Sequence, residues 1–588
     1  MMQSPSPILF ALCLPMALAR FLGPLNSAPT DLSSDSSCVW LKWKNITSTL
    51  ENHLTHREPN EALSGLDNIT FSLGLFSVHD RNAASSLQYH HTGPDIKNSS
   101  YGVNKVNGDS IYRVASMTKI ITVYAGLLLL DPSDWHKPLT EIFPEIAAWP
   151  EDDSIHHIQW DTITPFSLSS QISGIPANAR PFEGLNEISY TYYLIDPVDP
   201  TTLGLPPLTL NSTGINVPCQ STNCSAVQYL DGIQSPTFPV FQSPGYANTN
   251  FILLGRVISK LTGLPTNEEW FQKAVFSPLN MTSSSSLSPS NPPYPGYVVA
   301  GDPTAFSEEG GITSSSGGVF STTNDLAKLG VSILNSTLLS ADQIRRWMKP
   351  TTFTAALDFS IGMGWEIYRY NDKVTGHVTD LYTKLGDSGN YASYIVVVPD
   401  YDVGFSVIVA SGIATETERS AAAQLLADII SEEILPALRD QAAAETKRNY
   451  EGAYISTGQN TTSTLTLAYN QTAGAGYGLT ITSLFNDGHN LLQVLQYWFG
   501  SNQLVLAPST TNPKTKQRGF VATAVTTPGA YTGVFSKMLA TDVEWVYNNG
   551  VTYGGQALGT FYFDVADDGS AVAASPAVLR GKRFKKIA

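Results

Sequence analysis

Two almost wholly apolar stretches, residues 391–399 and 403–410, are separated only by Asp400-Tyr401-Asp402. Runs this apolar and this rich in β-branched residues suit strands buried on both faces, and so short a polar link suits an antiparallel hairpin inside a central sheet. Residues 70–77 and 88–92 alternate as further strands, and residues 418–448, with Pro436 among them, read as a long helix. Residues 250–261, 267–275 and 322–335 also carry helical patterns, the last opened by Thr322 with Asp325 three positions on. Strands, then helices, then strands and a last helix predict an α/β chain of the α+β kind, an antiparallel sheet flanked by helices.

At 588 residues, 42% hydrophobic and 14% charged, the chain has enough apolar surface for a large core and enough length for more than one domain. Its formal charge of -16, with nothing basic running through the body, excludes nucleic acid as a partner. After Tyr450 the composition turns to Thr, Gly, Tyr and Val in short alternating runs at 464–469, 479–484 and 560–565, with no helical pattern. That predicts a C-terminal all-β domain over residues 438–588, a sandwich or a barrel. The basic tail Arg580, Lys582, Arg583, Lys585 and Lys586 reads as a solvated terminus.

Residues 8–19 form an apolar run broken by Pro15 and closing on Ala17-Leu18-Ala19, read as the end of a signal peptide over residues 1–19. Residues 20–67 are left as an N-terminal extension. Asn-x-Ser/Thr acceptors at Asn45, Asn68, Asn98, Asn211, Asn223, Asn280, Asn335, Asn460 and Asn470 fit a secreted, extracellular glycoprotein. No later apolar stretch has the length of a membrane span, so no membrane association is expected after cleavage of the leader. Cys13 departs with that leader, while Cys219 and Cys224 are near enough to close a small disulfide loop, leaving Cys38 as an odd thiol. The alternative is three buried thiols.

Ser116-Met117-Thr118-Lys119 is the only Ser-x-x-Lys in the chain, and it opens the apolar run 120–130. A lysine one helical turn after a serine shares its face and can take the hydroxyl proton. Downstream, Ser243-Pro244-Gly245 is a turn that projects Tyr246 and Asn248 together, and Lys384-Leu385-Gly386 directly precedes the strand from Tyr391. A second Lys-x-Gly, Lys328-Leu329-Gly330, falls inside a helical stretch, and a second Tyr-x-Asn, Tyr547-Asn548-Asn549, lies out of order in the C-terminal region. Gly386-Asp387-Ser388-Gly389 echoes a serine-protease motif, but no histidine has the context of a triad partner and no Gly-x-Ser-x-Gly elbow occurs. Adjacent histidines such as His90-His91 and His156-His157 diverge, and no His-Glu-x-x-His is present, so neither a metal nor another cofactor is expected.

Ser-x-x-Lys, Tyr-x-Asn and Lys-x-Gly in this order resemble the penicillin-recognising serine hydrolases, in particular the class C β-lactamase and D,D-peptidase branch. Residues 112–119, Ile172-Ser173-Gly174-Ile175-Pro176, Pro244 to Asn248 with Leu253-Leu254-Gly255, and residues 317–326 also look like blocks of that family. The likeness spans about residues 68–437, and with its C-terminal β domain the chain is most similar to secreted β-lactamase-like proteins of filamentous fungi. The resemblance implies a β-lactamase/transpeptidase-like fold and attack by Ser116 on an ester or amide carbonyl to form an acyl-enzyme. Tyr246 or Lys119 would be the base. Ionising half of an ordinary tyrosine at pH 7 costs about 4 kcal/mol, and a cation about 4 Å away supplies on the order of that at an effective dielectric near 20. Asn248, Lys384 and Gly386 would face the substrate, and the backbone N–H groups of Ser116 and Asp387 would form the oxyanion hole.

Leu385 and Asp387 depart from the family pattern, which has a hydroxyl residue and then a small residue at these places. Lost hydroxyl and added charge argue against penicillin-type recognition. The expectation is a hydrolase or acyltransferase for a small-molecule or peptide substrate, its pocket shaped by residues 177–242 with Tyr190, Tyr192, Tyr193 and Tyr229. The alternative is a catalytically idle relative that binds a peptide or glycan. Substrate and oligomeric state are not legible at this level.

Overall fold

The structure, a computed structural model, describes residues 23–56, 58–147, 157–177, 204, 236–308, 310–458, 461–473, 476–512, 514–525 and 550–587. The proposed leader, Cys219 and Cys224, the tyrosines of the 177–242 stretch and Tyr547 lie outside the described residues. The chain divides into two compact units. Asp31–Arg369 and Asp380–Leu438 make one; Met1–Thr30, Tyr370–Thr379 and Arg439–Ala588 make the other.

The first unit opens with helix α1, Cys38–Leu54, capped by the Ser37 hydroxyl, which accepts from the N–H groups of Val39 and Trp40. Val39, Trp43, Ile46 and Leu50 form its buried stripe, a helical spacing that the extension at residues 20–67 already carried in sequence. Strands β1 (Thr70–Ser77) and β2 (Gln88–His91) precede the helices α2 (Thr118–Leu129), α3 (Asn248–Thr262) and α4 (Thr323–Leu334). Strands β3 (Thr352–Phe353), β4 (Phe359–Ile361), β5 (Glu366–Asn371), β6 (Val378–Ser388), β7 (Tyr391–Val398) and β8 (Val403–Ala410) follow, and helix α5 (Glu416–Tyr450) runs on through Pro436. The eight strands form one sheet in the order β2-β1-β8-β7-β6-β5-β4-β3.

Every residue of β1, β7 and β8 is buried, so this central part of the sheet is covered on both faces. Val398 pairs with Val403 across the hairpin, and the link turns at Asp402 in the left-handed region, where a short polar side chain is tolerated. Helix α4 packs on β1 and β8, its N-terminus capped by Thr322 Oγ1, which accepts from Asp325 N.

Phe76 of β1 fits between Gly330 on α4 and Gly404 on β8; a Cβ on these glycines would lie 2.2 and 2.5 Å from its ring. Phe76→Ala should therefore cost about 3–5 kcal/mol in urea denaturation. Gly330→Ala should be destabilising alone but neutral or better beside Phe76→Ala, because the truncation vacates the space its methyl needs. Additive losses in that cycle would contradict the packing.

In the second unit β9 (Gly452–Thr457), β10 (Thr462–Asn470), β11 (Gly478–Asn486), β12 (His489–Asn490), β13 (Leu504–Asn512), β14 (Gln517–Ala524), β15 (Thr560–Val565), β16 (Ala571–Pro576) and β17 (Phe584–Lys586) form a second sheet. Its order is β10-β9-β17-β16-β15-β14-β13-β11-β12, and β10 also pairs with β11, which closes the sheet into a barrel. Tyr450, Tyr454, Phe520 and Phe563 meet edge to face in its core.

One expectation fails here. Leu491–Phe499 is a helix, α6, although no helical pattern was expected beyond Tyr450. Leu492, Leu495 and Phe499 turn inward, Asn490 caps the start and Gly500 ends it with positive φ. Leu492, Leu495 and Phe499 do stand at helical spacing, but the segment is only nine residues long and sits among strand-like runs, which hid it.

Candidate active site

Ser116 sits in a 3-10 turn, Ala115–Met117, that runs straight into α2. The preceding Ala115 has φ of 47°, a left-handed conformation that costs a residue with a Cβ on the order of 1–3 kcal/mol. Contacts on both sides hold it there. Val114 N donates to Val319 O at 3.0 Å, and Ser393 Oγ on β7 donates to Val114 O at 2.8 Å. The turn thereby leaves Ser116 partly exposed, while Lys119, in the first turn of α2, is completely buried.

Lys119 Nζ lies 2.9 Å from Ser116 Oγ, 2.8 Å from Asn248 Oδ1 and 2.7 Å from Ser316 O. Thr118 and Thr122 tie the same helix face to this segment: Thr118 Oγ1 accepts from Val319 N and Thr122 Oγ1 donates to Ser315 O. Burial holds the Lys119 ammonium well below the usual lysine range, with Lys384 reinforcing and Glu366 opposing the shift.

Tyr246 OH is 2.7 Å from the same Ser116 Oγ. Its approach is fixed by Gln171, whose backbone carbonyl accepts from Gly245 N and whose Oε1 accepts from Ala247 N and Asn250 Nδ2. Gln171 itself takes a φ of 60°, and Ser173 Oγ donates to Asn250 Oδ1, which fixes that amide. Asn248 begins α3 and so stands directly beside the Lys119 amine.

Lys384 and Gly386 lie on β6, two residues apart and hence on one face of the strand. The Lys384 ammonium is 5.1 Å from the centre of the Tyr246 ring, and that of Lys119 is 4.9 Å away. Lys384 is also paired with Glu366 on β5, its Nζ 2.5 Å from Oε1, and donates to Leu385 O at 2.7 Å. Glu366 Oε2 accepts from Leu385 N at 2.9 Å. Gly386 presses on the turn that carries Ser116: a Cβ there would lie 2.2 Å from Val114 O and 3.0 Å from Met117 N.

Asp387, next along the strand, alternates to the other face. Burial pushes its carboxyl up to about 7, with Glu416 adding and Arg419 opposing, so its electrostatic neighbours are at the start of α5. Its backbone N–H, rather than its side chain, is what remains a candidate for the reacting centre. The structure thus brings Ser116, Lys119, Tyr246, Asn248, Lys384 and Gly386 together. Gln171, Ser316 and Glu366 are participants that the motifs did not name. Gln171 and Ser316 left a trace in sequence, each as the residue just before a family-like block, Ile172-Ser173-Gly174-Ile175-Pro176 and residues 317–326.

A cavity of about 620 Å³ opens beside Lys119, Tyr246 and Lys384. Phe251, Phe353, Phe359, Ile361, Trp365 and Tyr368 supply its apolar walls. That size suits a small metabolite.

The sequence model of the beta-lactamase family matches residues 89–429. The chain belongs to the beta-lactamase family. A second model, described as a beta-lactamase-like C-terminal domain, matches residues 442–586. The chain is 26% identical over 488 residues to a beta-lactamase-like protein of the fungus Arthroderma benhamiae, a match covering 80% of this chain and 76% of the relative. To a probable hydrolase of Cochliobolus lunatus it is 25% identical over 462 residues, covering 74% and 71%. Among solved structures, the D-amino acid amidase of Ochrobactrum anthropi aligns with 17% identity and a TM-score of 0.45, over 66% of this chain and 99% of its own. This beta-lactamase-family chain thus matches a relative named as a probable hydrolase along most of its length.

Proposed function

We propose that this family member works as a serine hydrolase or acyltransferase in which Ser116 forms an acyl-enzyme with an ester or amide donor and Lys119 is the base. What supports the reading is a count of hydrogen-bonding capacity around one amine. A neutral Lys119 has two N–H donors and one lone pair. As an ammonium Lys119 would donate to all three oxygens around it; as an amine it keeps two N–H donors for Asn248 Oδ1 and Ser316 O and leaves its lone pair for the Ser116 hydroxyl at 2.9 Å. Burial favours that neutral form. Tyr246 is the weaker candidate for the base, because Glu366 offsets the Lys384 charge that would otherwise stabilise a phenolate.

Ser116 Oγ attacks the carbonyl carbon as its proton passes to Lys119 Nζ. The bond to the leaving group then breaks, and Tyr246 OH, 2.7 Å from the same oxygen, gives its proton to the departing atom. Lys119 returns a proton to Tyr246, and water or an acceptor alcohol or amine releases the acyl group by the reverse path. The N–H groups of Ser116 and Asp387 are assigned to the developing oxyanion.

Intact mass after exposure to a fluorophosphonate should show one adduct, located to Ser116 by peptide mapping; no adduct would sink the reading and leave a binding protein. The pH profile supplies a second check. kcat/KM should rise as pH passes through the lowered Lys119 value, since the base must be neutral. Lys384→Met removes a cation that disfavours the Lys119 ammonium, so the rising limb should move to higher pH. Glu366→Gln removes an anion that favours it, so the limb should move lower. Equal or absent shifts would exclude Lys119 as the titrating group.

A further inference from the structure

Lys384 and Glu366 both line the cavity, and their pairing decides what that cavity can hold. The Lys384 ammonium is buried and two of its three N–H donors are committed, one to Glu366 Oε1 and one to its neighbour's carbonyl, Leu385 O. Glu366 is fixed from behind: its second oxygen accepts from Leu385 N, so the carboxylate lies along β6 with both oxygens engaged. The only other cation among the described cavity-lining residues is Lys119, whose amine is taken up by Ser116, Asn248 and Ser316. The other lining side chains are neutral, apolar at Phe251, Phe359, Ile361 and Trp365 and polar at Gln242, Ser243 and Thr354, so no further cation balances an incoming carboxylate.

We infer that Glu366 fills the place on Lys384 that a substrate carboxylate would take, so that the cavity selects uncharged, apolar esters or thioesters as acyl donors and rejects acids. A carboxylate-bearing donor would meet a lysine already neutralised and a like charge beside it. Leu385 also lines the cavity, and its backbone C=O and N–H hold the Lys384–Glu366 pair in place. The inference rests on the acyl-enzyme reading and names the substrate class of that site.

The test compares kcat/KM for p-nitrophenyl pentanoate and p-nitrophenyl hydrogen glutarate, donors of similar length that end in a methyl group and a carboxylate, after subtraction of spontaneous hydrolysis. The wild type should prefer the pentanoate by at least roughly tenfold. Glu366→Gln keeps the side-chain shape and releases the ammonium, and should move the ratio toward the glutarate by roughly 10- to 100-fold. Glu366→Asp, which keeps the charge, should retain the preference for pentanoate. A wild type that takes both esters equally, or an unchanged ratio in Glu366→Gln, overturns the inference while leaving Ser116 chemistry intact. Failure of the wild type to release nitrophenol from either ester instead overturns the acyl-enzyme reading beneath it.

Discussion

Ser116→Ala and Lys119→Met should each lower turnover of an activated ester by about 10⁴-fold or more, and the double variant should be no worse than either single one. The two side chains act as one unit. Without the hydroxyl, the amine has nothing to deprotonate; without the amine, the hydroxyl keeps its proton and is a poor nucleophile. Lys119→Met keeps the length of a fully buried side chain but leaves Asn248 Oδ1 and Ser316 O without their donor. Its stability must therefore be measured alongside its rate, and Lys119→Arg provides a charged control that cannot serve as a base. Steady-state assays with active-site titration separate lost chemistry from lost protein. Losses that multiply in the double variant would show that the two residues work independently, against the proposed proton transfer.

Gly386→Ala should reduce kcat/KM by roughly 100-fold although it adds a single methyl group and changes no polar atom. The methyl would stand 2.2 Å from Val114 O and 2.4 Å from Ser393 Oγ. Strand β6 and the turn that carries Ser116 would have to separate. That turn already holds Ala115 in a left-handed conformation through the Val114 contacts, so displacement has a ready outlet in relaxation of Ala115. Ser116 Oγ would then leave the 2.9 and 2.7 Å contacts to Lys119 and Tyr246. Near-normal rates in Gly386→Ala would mean that the turn is not positioned by this strand.

Much of the first unit was readable because burial on two faces leaves an unmistakable pattern. The hairpin of β7 and β8 is the example: eight buried residues on each side, with Ser393 and Ser406 as interruptions, and a short polar link admit few other arrangements. Helix α1 was equally readable from Val39, Trp43, Ile46 and Leu50, but its stripe went unused. Helix α6 carries the period too, in Leu492, Leu495 and Phe499, but over only nine residues set among alternating strands.

The candidate site divides in the same manner. Local spacing alone already names the candidate groups: a serine and lysine one turn apart, a tyrosine and asparagine after a Pro-Gly turn, and a Lys-x-Gly ahead of a buried strand, because each spacing is a local geometric requirement. The state of those groups comes from the fold around them. Glu366 reaches Lys384 from the neighbouring strand, Ser316 offers Lys119 a backbone carbonyl that no side chain announces, and complete burial favours the uncharged form of the amine. Charge in a site depends on solvent exclusion and on partners distant in the chain, and neither is written in local spacing.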